Sequence, residues 1–303
     1  MDLVTFGSVF LEIVFGDCTR LPRAGEEVYN EIFGFSVGGS VVTAALAARD
    51  LGASVALTTT LGDDLGSRLA EEVTLQAGVD LSRCQRAPGR AAGVTVVLNF
   101  DDDRGFITHL PPRPPGTLGG CEHLAQALAG ARPAWCYLHG AAGMVPVLHQ
   151  ARALGSRVAV DTSFEQVETS PDLVAECAHL ADVFLSTETE LVQLTGAGGL
   201  AGAISVAGTW GPRLAIKRGA AGAVAVEGGK VAEVSEGLKD TVVVDRTGAG
   251  DAFAGALVAA LALGSGFRDA VAAGNTAGSV TVGRLGSVGE LRRYRGAPEW
   301  NWL

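Results

Sequence analysis

Short apolar runs alternate with helix-like segments through most of the second half of the chain, and this alternation limits the fold more than any other feature. Strands are predicted at Ala134–Leu138, Val158–Val160, Val183–Leu185 and Leu214–Lys217. Helices are predicted at Glu122–Leu128, Val145–Leu154, Pro171–Leu180, Glu188–Leu194 and Leu200–Ala207. Strands this short and apolar throughout are buried on both faces. They imply a mainly parallel sheet with helices on either side. A ligand is then expected at the carboxyl ends of the strands. The 303 residues suit one large α/β domain with an appendage, or two domains. At 48% hydrophobic and 18% charged, the chain can bury a sizeable core.

The same composition removes several function classes. Net charge is −10 and the lysines are Lys217, Lys230 and Lys239, with no basic run and no basic–aromatic interleaving. Nucleic acid is therefore not an expected partner. The longest apolar stretch, Ala252–Leu263, is too short to span a bilayer, so no membrane association is expected. Met1-Asp2-Leu3-Val4 lacks the basic segment of a secretory signal. The five cysteines are odd in number and none forms C-x-x-C, which reads as reduced thiols in a cytoplasmic protein. The histidines show no metal-ligand spacing, and no Walker loop is present.

Val242–Val244 is a β-branched run, predicted as a strand, that stops at Asp245. Thr247-Gly248-Ala249-Gly250 reads as a tight turn, and an almost wholly apolar helix follows from about Ala252 to Leu263. A helix start has unpaired N–H groups and the positive end of the macrodipole, so it attracts anions. Asp251 stands at that mouth. It is a poor ligand for an anion but well placed to take a proton from a hydroxyl that attacks a phosphate there. A plain turn with an N-terminal helix acid would also account for these residues.

Asp245–Asp251 resembles the D-x-T-G-A-G-D motif of the ribokinase-like (PfkB-type) carbohydrate kinases. Val37–Thr43, with Gly38-Gly39 opening a helix, resembles the family's second motif, and the likeness runs from about Val4 to Gly286. The resemblance implies a three-layer α/β/α sandwich with a mainly parallel central sheet and a small β-sheet lid. Residues 1–9, 38–92 and 111–303 would form the core, and 10–37 and 93–110 the lid, with Pro111–Gly120 as a connector. A homodimer through the lid is a further implication. The activity implied is transfer of the γ-phosphate of ATP to a sugar hydroxyl. Asp251 would be the general base and the N–H groups of Ala249, Gly250 and Asp251 the anion hole, with Gly248 and Gly250 leaving the approach free of side chains.

On the acceptor side the resemblance implies Glu12, Gly38, Gly39 and Thr43. Gly7–Glu12 matches a G-S-x-x-x-D pattern with Glu in place of Asp, a shift of the carboxylate by ~1.5 Å. Thr43 stands where an Asn is usual. His139, at a predicted strand end, is either an acceptor-pocket residue or a satisfied structural histidine. Asp161, at the next strand end, is a candidate for the phosphate or substrate region. Thr187 and Glu190 resemble the family's N-x-x-E, implying that Glu190 helps hold water around Mg²⁺. Lys217, Gly219 and Gly222 resemble a turn bordering the nucleotide, Thr247 belongs to the same border, and Asn275 matches a position near the adenine. Asp245, with Arg284-Leu285-Gly286, corresponds to a monovalent-cation region, which would take K⁺.

The acceptor is expected to be a small neutral sugar. Glu165 and Phe106–His109 stand where the resembling 2-keto-3-deoxygluconate kinases carry arginines for a carboxylate. A nucleoside or sugar-acid kinase of the same fold is the alternative, and a non-catalytic sugar or nucleotide sensor is the alternative from another class. The acids at 101–103 read as a metal site or, more simply, a solvated hairpin tip.

Overall fold

The computed structural model describes residues 1–100, 103–112, 120–128, 135–140, 143–238 and 241–289. Asp101, Asp102, the centre of the 111–120 connector, Ala134 and Lys239 lie outside these residues. In chain order the strands are β1 (Leu3–Phe6), β2 (Phe10–Gly16), β3 (Ile32–Gly38), β4 (Val55–Thr58), β5 (Thr60–Leu61), β6 (Gln85–Arg86), β7 (Gly93–Asn99), β8 (Arg104–His109), β9 (Trp135–His139), β10 (Arg157–Asp161), β11 (Val183–Thr187), β12 (Arg213–Lys217), β13 (Ala223–Glu227) and β14 (Lys230–Ser235). The helices are α1 (Ser40–Asp50), α2 (Leu65–Gln76), α3 (Gly120–Leu128), α4 (Met144–Ala153), α5 (Phe164–Thr169), α6 (Pro171–Leu180), α7 (Glu188–Thr195), α8 (Leu200–Ala207), α9 (Ala249–Ala262) and α10 (Phe267–Thr281).

Eight strands form the large sheet in the order β14-β13-β12-β11-β10-β9-β1-β4. From β12 to β4 every neighbour is parallel, and the β13–β14 hairpin is added antiparallel at one edge. The strands are apolar throughout because successive side chains point to opposite faces and both faces are covered. Leu3, Trp135, Tyr137 and Ala159 pack in one core with residues of α1, α9 and α10. Val4, Cys136, Leu138 and Val160 pack in the other with residues of α3, α4, α6 and α7. Each Val or Leu buried this way contributes about 1.5–3 kcal/mol.

A second, four-stranded sheet has the order β3-β2-β7-β8. Its strand β2 runs antiparallel to β3 and parallel to β7. Helix α9 lies so close to α1 that a Cβ at position 255 would fall 2.1 Å from the Ala44 carbonyl oxygen. Gly255 thus permits the approach that sets the start of α9 against the end of the sheet.

One predicted strand does not form. Residues Val242–Val244 are exposed and belong to no sheet. The N–H groups of Val244 and Asp245 both donate to the Val282 carbonyl, at 2.7 and 3.1 Å. That single acceptor at the end of α10 replaces the ladder a strand would need. The expectation ignored this, since β-branched composition registers side-chain preference and not the presence of a pairing partner. Cys18, Cys84, Cys136 and Cys177 are free thiols, and burial pushes Cys136 up to about 12. Among the described residues no helix is long and apolar enough to cross a membrane.

Candidate active site

The loop before α9 is built on Asp245. Its buried carboxylate accepts from the Thr247 N–H at 2.8 Å, the Thr247 hydroxyl at 2.6 Å and the Gly286 N–H at 2.8 Å. The first two bonds close a turn of the kind Asp favours, and the third ties it to the 286–289 loop. Asp245 and Thr247 therefore shape the entry to α9. Gly248 caps the helix with a left-handed backbone (φ 77°). Gly248, Gly250 and Asp251 line a cavity of ≈ 850 Å³. Ala249 does not line it, and its N–H turns back to the Arg246 carbonyl at 3.3 Å.

Three strand ends meet Asp251 there. His139 ends β9, and its Nε2 lies 3.6 Å from Asp251 Oδ1. Tyr137, two residues earlier and on the same face, places its hydroxyl 3.3 Å from His139 Nε2 and donates to Asp161 Oδ2 at 3.4 Å. Asp161 ends β10 and takes the Lys217 ammonium on both oxygens, each at 2.8 Å. The result is one connected row: Asp251, His139, Tyr137, Asp161, Lys217. Burial opposes the His139 cation, but the contact with Asp251 and the charges of Asp161 and Asp251 outweigh it and raise His139 from its ordinary value. Burial likewise opposes the Lys217 cation, yet Asp161 and Glu190 hold it above the usual lysine range. Burial, then the charges of Asp161 and Asp251, push the Tyr137 phenol well up, so it serves as a neutral donor.

His139, Asp161 and Asp251 bring ligand atoms within 4.8 Å of one another. They make a poor seat for a hard cation. Lys217 already occupies both Asp161 oxygens, and imidazole does not suit Mg²⁺.

Thr187 and Glu190 cap α7 reciprocally. Thr187 Oγ1 accepts from the Glu190 N–H at 3.2 Å, and Glu190 Oε2 accepts from the Thr187 N–H at 2.7 Å. The local sequence Thr-x-x-Glu dictates this box. Both residues line the cavity, and Glu190 Oε1 takes no hydrogen bond among the described residues. Burial raises Glu190 from its usual value, with Lys217 acting against it.

Other sequence-predicted site residues do not line this cavity. Glu12 is buried, and its carboxylate accepts from the Ser287 N–H at 3.0 Å and the Ser287 hydroxyl at 2.5 Å. Burial raises it despite those bonds. A Cβ at Gly38 would collide with Glu12 Oε1, so Gly38 makes room for this side chain. Gly39 caps α1 beside the Ser8 carbonyl, and the buried Thr43 hydroxyl has no partner among the described residues. Gly219 and Gly222 turn β12 into β13 outside the cavity lining. Asn275 donates to Ser235 Oγ at 3.2 Å and to the Glu236 carbonyl at 2.5 Å. Glu12→Ala strips two buried donors on Ser287 of their acceptor. It is expected to lower unfolding stability by about 1–3 kcal/mol in urea titrations.

Among the residues that escaped the sequence reading are Tyr137, buried behind His139 and outside the cavity lining, and Arg104, which lines it. Tyr137 was detectable, as a polar aromatic two positions before a strand-end histidine. Arg104, which opens β8, sits beside the charged hairpin tip and gave no sign of lining a site. Its guanidinium pairs with Asp103 at 3.1 Å, while Nε is buried without a partner among the described residues.

The family model described as pfkB family carbohydrate kinase matches residues 2–292. A cytidine kinase of Thermococcus kodakarensis is 27% identical over 286 residues, covering 90% of this chain and 93% of that protein. A structure of a candidate ribokinase II from E. coli, in complex with ATP and Mg²⁺, superposes with a TM-score of 0.79 at 22% identity, covering 94% of each chain. The adenosine kinase of Sinorhizobium meliloti gives 0.77 at 18% identity, covering 94% of this chain and 95% of that one. At those identities the two structures speak to the fold.

Proposed function

Because this chain belongs to the pfkB family of carbohydrate kinases, we propose that it transfers the γ-phosphate of ATP to a hydroxyl of a neutral, ribose-bearing acceptor, with a nucleoside ahead of a free sugar. The kinase reading is carried by Asp251, which stands at the mouth of α9 and shares one cavity with Lys217 and Glu190. Asp251 takes the proton of the acceptor hydroxyl as its oxygen attacks the γ-phosphorus and the bond to ADP breaks. The start of α9 offers N–H groups and a positive dipole end to the charge on the transferring group. His139 lies 3.6 Å from Asp251 and holds its orientation. Lys217 reaches the same mouth, since a Cβ at Gly250 would lie 3.4 Å from its Nζ.

Mg²⁺ fits this site through Glu190, a buried carboxylate facing the cavity with one oxygen unspent. When bound, it would neutralise phosphate charge. The smaller sheet contributes Phe10 and Arg104 to the same cavity and acts as a lid that keeps water from competing with the acceptor.

Two features support a nucleoside. Phe6, Phe10, Leu110 and Met144 line the cavity beside the hydroxyls of Ser8 and Ser40, so an apolar wall is available to a base that a free sugar would leave uncovered. The Thermococcus relative, moreover, is named a cytidine kinase. A second reading, an acidic acceptor, rests on Arg104. The test is ADP release from Mg·ATP with cytidine, adenosine, inosine, ribose, fructose and gluconate as acceptors. The expected result is nucleoside-dependent release with kcat/KM above that for ribose or fructose. Release with gluconate alone supports the acidic acceptor. A folded protein that binds ATP but releases ADP with none of these contradicts the reading and favours a sensor.

A further inference from the structure

A second cavity, of ≈ 580 Å³, lies at the opposite end of the large sheet. Arg157 and Arg213 open β10 and β12, whose far ends carry Asp161 and Lys217. At about 3.3 Å per residue the two ends of β10 are roughly 13 Å apart, so a small ligand here does not reach the catalytic cavity. Arg152, His179 and Asp182 complete the polar lining.

Two of the guanidiniums, those of Arg157 and Arg213, are held but not spent. Arg157 lies 5.8 Å above the Trp135 ring and Arg213 4.8 Å above the Phe267 ring. Neither makes a hydrogen bond or ion pair among the described residues. Arg152 uses Nη1 on the Leu180 carbonyl at 2.8 Å and reaches Asp182 at 3.5 Å. Asp182 also accepts the Val158 N–H at 2.8 Å. Three guanidiniums thus face one lining carboxylate, in a chain whose net charge is −10. Burial and then the charge of Arg157 pull Arg213 below its ordinary value, although Glu227 and Asp182 act against this. The positive charge is under-compensated.

We infer that this cavity is a second binding site, for a phosphate group carried free or as a small monoester. Stacked guanidiniums are oriented before binding and present forked N–H pairs that match phosphate oxygens. A tetrahedral dianion offers acceptors to the two free forks and to the remaining N–H groups of Arg152 at once, which a planar carboxylate does not.

The site carries its own reporters. Trp135 lies under Arg157, and Trp210 stacks on His179 at 5.5 Å. Titration of the full chain with inorganic phosphate, and separately with glycerol 3-phosphate, is expected to give a saturable change in tryptophan fluorescence. Equal binding of the two probes assigns an ester-tolerant site, and binding of phosphate alone a site for the free ion. Arg157→Gln with Arg213→Gln is expected to weaken binding at least about tenfold. Asp182→Asn removes the competing charge and is expected to tighten it several-fold. That gain cannot arise from misfolding and decides the matter if the double variant does not fold. The inference is overturned by no change at concentrations on the order of 10 mM, by an unaltered titration in a folded double variant, or by Asp182→Asn binding no more tightly than the parent.

Discussion

Asp251→Asn is expected to lower kcat by about 10²–10⁴-fold while the protein stays folded and still binds ATP. The substitution keeps size and shape, so the start of α9 and its N–H groups are undisturbed. What it removes is the carboxylate proposed to accept the acceptor's proton. It also removes the negative charge 3.6 Å from His139, and thereby one of the influences that raise that imidazole. The amide introduced there would still meet a histidine, but a more readily neutral one. The loss should therefore fall on kcat, with the affinity for ATP unchanged or improved because a like charge near its phosphates has gone. Steady-state ADP release and nucleotide binding, measured on one preparation, separate the two. Turnover within a few-fold of the parent would mean that the base is another group, with His139 the nearest in place. Loss of ATP binding alongside turnover would mean that Asp251 builds the site and does not do the chemistry.

The layers and the helix mouth could be read from the chain because they depend on local patterns. Short apolar strands between helices specify a covered parallel sheet whatever their order, and Thr247–Asp251 describes a turn and a helix start within a few residues. The acceptor side was less legible. Glu12 and Gly38 are neighbours through the pairing of β2 with β3, and what Glu12 touches depends on a partner far along the chain. Ser287, which takes the Glu12 carboxylate, is separated from it by 275 positions. No spacing rule links them. The glycine at 38 reads as open backbone from the sequence, yet the space is filled by Glu12. Val242–Val244 went wrong for a related reason, since a strand needs a neighbour and composition does not supply one. The row from Asp251 to Lys217 lies between these extremes. Its members sit at strand ends, which alternation locates, but only the parallel register puts Asp161 opposite His139.

Lys217→Met is expected to destabilise the fold by about 3–5 kcal/mol, because it leaves Asp161 charged and buried without its cation. The side chain of Asp161 is 1% exposed and that of Lys217 13%, so solvent does little to replace the pair. In the parent, Lys217 is raised above its ordinary value despite burial. The stability it contributes is therefore complete below the ordinary lysine range and is lost only as pH rises through the raised value. Urea unfolding at neutral pH measures the whole effect. The double variant Lys217→Met with Asp161→Asn removes both charges, and much of the lost stability should return, since exchanging a buried ion pair for neutral groups costs far less than orphaning one partner. Activity should not return with it. Lys217 is proposed to face the transferring phosphate, and Asp161 aligns Lys217 and receives the Tyr137 hydroxyl. A double variant as stable as the parent but inactive assigns the pair to the reaction. One that regains both stability and turnover reduces it to packing, and leaves the helix mouth and Asp251 to act without a neighbouring cation.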